Sequence, residues 1–411
     1  MTSHKVFSSF TLPNGQTIKN RIVKAAMEEG MADGQQQPDE NLFNLYKAWS
    51  TGGVGAIITG NVMIDKLAMT GPGGVVLEAS TDITPFKTWA ENAKQNSTKV
   101  WMQINHPGRQ VYANMQGKVL APSEIPLNMG KHSKLFGMPK AMTEEEIQDV
   151  IERFASTAIQ AEKAGFDGVQ IHGAHGYLIA QFLSPLSNIR TDKWGGTIEN
   201  RARLLLEVVK KIQSVVTSDF AISVKLNSAD FQRGGFDIND AEQVVSMLSE
   251  QNIDFVELSG GSYESPVMQG KTADGRTLER EAYFLEFAKT IAQNTNLPVM
   301  TTGGIKRLAT AEKVVQSGPQ LAGIASALAY SPDLVNIWQD KPEYVSPTQV
   351  VTWKDKTLSG LATMSLVSKQ LRLLGRGKST KPNALAFWAL VAGQLRKSSL
   401  TKRYLKHIGK L

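Results

Sequence analysis

Three side chains able to hold an oxygen or move a proton fall within residues 172–177: His172, His175 and Tyr177, in GVQIHGAHGYLIAQF. Neutral imidazoles can donate hydrogen bonds to a carbonyl oxygen, and a phenol of pKa about 10 is a competent proton donor at neutral pH. Together they could polarise an enone and protonate it. The plainer reading is two histidines packed at a strand end with satisfied hydrogen bonds. Metal binding is not expected, because the pair lacks the i, i+4 helical spacing of a zinc protease and no nearby Glu completes such a motif.

What must position these groups is a strand, since Val169-Gln170-Ile171 leads into the turn and an apolar helical run follows. Parallel α/β proteins keep their chemistry where strands end. Similar β-rich runs cover 22–26, 56–59, 100–104, 168–172, 221–226, 255–259, 299–302 and 321–325. Eight of them, with room for a crossover helix between each pair, predict an α/β fold: a (β/α)8 TIM barrel over residues 1–339. Asn14-Gly15 between short β-like runs predicts an N-terminal hairpin lid on one end. Thr143 and Glu146 predict a capping box ahead of an apolar helical stripe that Gly165 ends. Residues 105–142, rich in Gly and Pro, predict a long loop covering one side of the site.

Residues 340–411 predict a basic helical C-terminal extension, with one helix over 356–374 closed by Gly375 and a second over 384–395. Its 14 Lys and Arg against three acids make +11, so that of the chain's +7 the first 339 residues carry −4. The basic character therefore belongs to the tail, and nucleic acid is not an expected partner of the barrel. Two readings of the tail stand: a surface for an anionic membrane or a partner, or a helical pair packed on the barrel or across a homo-oligomer interface. The longest apolar stretch, 384–393, is ten residues, too short for a transmembrane segment. No apolar signal-peptide core precedes Gly15, so a cytoplasmic location is expected. With Cys 0, redox chemistry needs a bound organic cofactor rather than a thiolate-held iron–sulfur cluster.

The stretch HGAHGYLIAQFLSPLSNIRTDKWGGTIENRARLLLEVV, residues 172–209, resembles the signature of the Old Yellow Enzyme family of flavin-dependent ene-reductases. NRIVKAAM, MQINHPGRQ, SVKLNSADF and TTGGI follow the family's order over about residues 5–335. The resemblance implies an FMN-bearing (β/α)8 barrel acting on a small-molecule substrate. Hydride would pass from NADH or NADPH to FMN, then from its N5 to the β-carbon of an α,β-unsaturated carbonyl or related activated alkene or quinone. By the same resemblance His172 and His175 match the pair that binds the substrate oxygen, and Tyr177 matches the proton donor. Gln103 matches the side chain on the flavin pyrimidine ring; Ala25, Ala26, Met27 and Gly60 match backbone lining the isoalloxazine; Gly303 and Gly304 match a phosphate-side turn.

The chain departs from the family pattern in places. Lys225 stands where the family commonly has an Arg at the flavin N1/O2 edge, and Ala325-Ser326 replaces the common Gly-Arg of strand eight, leaving Lys306, Arg307 or the backbone to compensate. Glu28 takes a position often held by Thr or Cys, and Gly30 one where some relatives place an aromatic; Tyr263 is the candidate replacement for that substrate-binding wall. These departures support an alternative: a flavin-binding-impaired barrel that serves as a small-molecule or protein-binding module.

Overall fold

In a computed structural model the protein is described over residues 4–267 and 281–411. Eight parallel strands close on themselves: β1 (Ile22–Lys24), β2 (Ala56–Ile58), β3 (Lys99–Asn105), β4 (Gly168–Gly173), β5 (Ala221–Asn227), β6 (Phe255–Ser259), β7 (Val299–Thr301) and β8 (Leu321–Ile324). Each pairs with the next, and β8 returns to β1. The expected strands are all present, with ends shifted by a residue or two, as is usual for element boundaries.

Strand alternation explains the interior. Inward positions run from apolar at the N-terminal end of the barrel, where Val23, Trp101, Phe255 and Met300 form a buried cluster, to polar toward the C-terminal end. The next inward positions along β3–β6 are Gln103, Gln170, Lys225 and Glu257, all buried. The alternate residues, such as Val100, Met102, Val169, Ile171, Val224 and Val256, face the helices and build the larger core. The hairpin pairs Phe10–Thr11 with Thr17–Ile18, with Gly15 at φ 88°, and adds Leu12 and Ile18 to the apolar cluster. It therefore plugs the end opposite the polar layer.

Helix α1 (Glu40–Thr51) follows β1, and α2 (Thr84–Ala93) precedes β3. Helix α3 (Glu144–Lys163) begins with the expected capping box, Thr143 Oγ1 accepting from Glu146 N and Glu146 accepting from Thr143 N, and Gly165 follows its end at φ 87°. The 105–142 segment contains a short parallel pair, Leu120–Ala121 with Lys140–Ala141, so it is more ordered than a plain loop.

The C-terminal region differs from expectation in three ways. A helix at Leu334–Asp340 runs through the expected boundary at 339/340. Helix α4 (Lys356–Gly375) is not closed by Gly375: Gly377, at φ 65°, turns the chain, with Gly377 N and Lys378 N donating to Leu374 O and Leu373 O. Gly375 is instead needed for close packing, since a Cβ there would meet Met31 and the Asn41 carbonyl of α1. Helix α5 is Ala386–His407, twelve residues longer at its end than the 384–395 reading, because Leu400, Thr401, Tyr404 and Leu405 bury against the barrel where the sequence alone reads as a run of charges. Tyr404 Oη donates to Lys66 O at 3.0 Å and Arg396 to Gly30 O at 3.1 Å. The pair thus packs on the barrel. No helix among the described residues is long and apolar enough to cross a membrane.

Candidate active site

The C-terminal rim of the barrel is open at its centre. Ala26, Met27, His175, Tyr263, Ala325 and Ser326 are half-buried there and Glu28 is exposed to the opening, whereas the strand residues beneath them are buried.

His172 is the last inward residue of β4. Its Nδ1 accepts from Ala174 N at 3.2 Å, which places the ring proton on Nε2. That N–H has no partner among the described residues and is a ready donor. His175 takes φ 60°, an uncommon backbone state for a side-chain-bearing residue, with its N–H held by Asn227 Oδ1 at 3.1 Å. Its Nε2 lies 2.8 Å from Ser259 Oγ on β6, and its ring meets His172 edge-on at 5.1 Å between centroids. Tyr177 closes the cluster, 4.8 Å from the His172 ring, with its Oη 3.1 Å from Tyr263 Oη.

Burial sets the protonation of all three. It pushes both histidines well below the ordinary imidazole range, His175 and Lys225 adding to the effect at His172, and Lys225 adding to it at His175. Both are neutral donors at neutral pH. Burial, then the nearby Glu28 carboxylate, raises the Tyr177 phenol, so it stays protonated.

Beneath this cluster a buried chain crosses four strands. Gln103 Nε2 donates to Gln170 Oε1 at 2.7 Å, Gln170 Nε2 to Glu257 Oε2 at 3.0 Å, and Lys225 Nζ pairs with Glu257 Oε1 at 2.8 Å. Register makes this possible, since Gln103 lies beside Gln170 and Lys225 beside Glu257. Lys225 therefore reaches the site with its charge already countered, and Glu257 is a site residue that the sequence reading missed. A polar residue between Val256 and Leu258 was the available signal.

The bed on the β1 side consists of small residues. Ala25 N donates to Ile324 O at 2.9 Å, and Ala25 is buried, while Ala26 and Met27 reach the opening. Gly60 does not: it is buried under the loop after β1, where a Cβ would collide with Glu29 and Met27 O, and its N–H donates to Tyr46 Oη. After β7, Gly303 and Gly304 take φ 122° and 70°, and Tyr283 packs against them so closely that a Cβ on Gly304 would lie 2.5 Å from its Oη. Ala325-Ser326 joins β8 to the short helix Ser326–Tyr330. Arg307 pairs with Glu281 at 2.9 Å.

The outer wall is aromatic. Tyr263 stands 6.0 Å from Phe136, which stacks on Tyr112 at 4.9 Å. Arg109 braces this wall rather than facing the opening: it pairs with Glu264 at 2.7 Å and donates to Ile125 O and Pro126 O. Arg190, Asp192, Trp194 and Arg201 likewise fix the segment after the cluster, through Arg190–Asp192, Trp194 to Glu144 at 2.6 Å and Arg201–Asp240 at 2.9 Å. Glu28 accepts from Thr70 Oγ1 at 2.9 Å at the mouth. Lys397 of α5 sits over the Tyr112 ring at 3.5 Å, a contribution from the extension that nothing in the local sequence signals.

A flat ring system fits this rim. Ala25 and Ala26 are small, the Gln103 amide and Lys225 ammonium line one edge, and at the other end Gly303 and Gly304 lie against Tyr283. Arginine is missing at that other end.

The family described as NADH:flavin oxidoreductase / NADH oxidase matches residues 5–342. The chain is 36% identical over 344 residues to the NADH-dependent flavin oxidoreductase iliE of Hypocrea jecorina, covering 78% of this chain and 86% of that protein. It is 36% identical over 362 residues to the protein of the same name from a Neonectria species, covering 82% of this chain but only 46% of that longer protein. Among solved structures, the old yellow enzyme homologue from Zymomonas mobilis superposes with a TM-score of 0.70 at 24% identity, covering 83% of this chain and 94% of that one. That likeness concerns the fold.

Proposed function

The chain belongs to the NADH:flavin oxidoreductase / NADH oxidase family, the Old Yellow Enzyme family of the resemblance above, and from that premise we propose that it reduces activated alkenes. The substrates are α,β-unsaturated carbonyls or related quinones. FMN is the cofactor and NADH or NADPH the reductant; bound FMN supplies hydride exchange between reductant and substrate.

The chain's own residues do the rest. The His172 Nε2–H, with His175 beside it, binds the substrate oxygen and stabilises the charge that develops on it. Tyr177 gives its proton to the α-carbon, and Tyr263, 3.1 Å away, is placed to re-supply it. Gln103 and Lys225 hold the pyrimidine edge of the flavin, Ala25, Ala26 and Met27 support its face with Gly60 beneath them, and Gly303, Gly304, Ala325 and Ser326 surround its phosphate. The observation that carries this reading is the convergence of a neutral imidazole donor and a protonated phenol, 4.8 Å apart, on one open rim.

The test is anaerobic reduction of the FMN-loaded protein by NADH or NADPH, followed by mixing with a panel of enones, quinones and nitroalkenes. Flavin absorbance should bleach and then return, with saturated product formed. If the protein neither quenches FMN fluorescence nor becomes yellow, the binding-module alternative replaces this reading. Flavin that stays bleached across the panel would contradict alkene reduction itself.

A further inference from the structure

The two C-terminal helices bring four arginines together beside the mouth of the cleft. Arg372 lies in the last turn of α4 and Arg376 caps that helix, while Arg396 and Arg403 are i, i+7 on one face of α5. The helices pack on each other, and α4 packs on α1. Arg396 donates to Gly30 O at 3.1 Å, and Arg403 Nη2 lies 3.3 Å from where a Cβ on Gly34 would stand. Arg396 and Arg403 therefore reach the loop that follows β1, the same loop that carries Met27 and Glu28 to the rim, and Arg372 and Arg376 lie at the end of the neighbouring helix, close enough to act on Arg396.

No carboxylate pairs with any of the four among the described residues. Arg372 and Arg396 are nonetheless half-buried. The nearest acid acting on Arg396 is Asp39, whose carboxylate is engaged in capping α1 through Asn41 N at 2.9 Å. Burial, then repulsion from Arg396 and Arg376, pushes Arg372 down to about 10, and Arg396 is lowered by burial and by its arginine neighbours. Part of this charge sits favourably at the C-terminal end of α4. Half-buried guanidinium groups that repel one another still lack the counter-charge that normally accompanies burial. Arginine's planar fork suits phosphate oxygens.

We propose that Arg372, Arg376, Arg396 and Arg403 form a diphosphate-binding site that receives the adenosine diphosphate portion of a ligand whose reactive end enters the cleft. Lys397, next to Arg396 in sequence and seated on Tyr112 of the aromatic wall, links the cluster to the cleft. Two ligand classes share this chemistry: the nicotinamide dinucleotide that reduces the flavin, and a coenzyme A thioester as substrate. The assignment of the ligand's reactive end rests on the function proposed above.

The probe is ADP-ribose, titrated calorimetrically into the FMN-loaded protein at two salt concentrations. Binding should occur, weaken with salt, and fall about tenfold in Arg372→Gln and again in Arg396→Gln, with Arg396→Lys recovering part of the loss. Unchanged melting temperatures would establish that the variants fold, and Arg376→Gln on the exposed rim offers a milder substitution. Displacement of ADP-ribose by NADH or NADPH assigns the site to the reductant; displacement by coenzyme A alone assigns it to an acyl thioester. No ADP-ribose binding, or equal binding by wild type and both Gln variants, overturns the site while leaving alkene reduction untouched. ADP-ribose binding through the arginines in a protein that reduces no alkene would instead sink the function and keep the site.

Discussion

The two halves of the barrel rim are built differently. Along β3–β6 the site is made of side chains: Gln103, Gln170, Lys225 and Glu257 in one buried chain, with His172, His175 and Tyr177 above it. Along β7, β8 and β1 its lining is backbone and small residues: Gly303, Gly304, Ala325, Ser326, Ala25 and Ala26, with Arg307 beyond β7 paired to Glu281. The first half can polarise an oxygen and move a proton. The second offers shape, backbone N–H groups and the Ser326 hydroxyl. Reactivity and cofactor retention are thus separable here, and substitutions should reveal the division.

The largest effect belongs to the first half. Tyr177→Phe should slow alkene reduction by roughly 10²–10⁴-fold, the span of a lost general acid, while reduction of bound FMN by NADH stays near wild type. Stopped-flow measurement of each half-reaction separates the two, and equal losses in both would dissolve the division. Next comes Glu257→Ala, which leaves Lys225 and Gln170 without their buried partner. It should cost about 3–5 kcal/mol in denaturant unfolding, and a loss under about 1 kcal/mol would mean that the chain across β3–β6 is not a structural unit.

Just past β3, His106 is buried with Nδ1 accepting from Gly108 N at 3.1 Å, and burial lowers its pKa to about 4. A depressed imidazole contributes stability that is full above the unfolded value near 6.5 and is lost as pH falls toward 4. His106→Gln should therefore remove about 3 kcal/mol of the stability difference between pH 7 and pH 4, measured by urea unfolding at both. His172 and His175, shifted in the same direction, should leave alkene reduction flat between pH 6 and 8.

The second half should respond to a gain rather than a loss. Ser326→Arg would restore a charge-assisted contact at the phosphate end and tighten FMN binding by about tenfold or more, equivalent to about 1.5–3 kcal/mol, by fluorescence titration. No tightening would indicate that the backbone around Gly303 and Gly304 already satisfies the phosphate.

This division also governs what could be read from the sequence. The eight strands, the Asn14-Gly15 hairpin, the Thr143 cap and the His172–Tyr177 turn are local patterns, written in consecutive residues. The Glu257–Lys225 pair depends on strand register, which places residues 32 positions apart side by side. Contacts from α5 to Gly30 and Lys66 span more than 300 residues and leave no local trace. The length of α5 was hidden for a related reason. After Leu395 its buried residues are spaced among lysines and arginines, and only the barrel surface makes Leu400 and Tyr404 a face. The close approach of Glu29 to Gly60 leaves no local trace either, because a glycine looks the same in sequence whatever group approaches it.

The most direct measurement follows the two hydrogens added to the alkene. Wild-type, FMN-loaded protein should reduce a cyclic enone with C4-deuterated NADH in ordinary water and, separately, with ordinary NADH in deuterium oxide, with label positions read by NMR. The account expects reductant deuterium only at the β-carbon and solvent deuterium only at the α-carbon, where Tyr177 delivers it. Solvent label at the β-carbon, or no saturated product in either experiment, would contradict it.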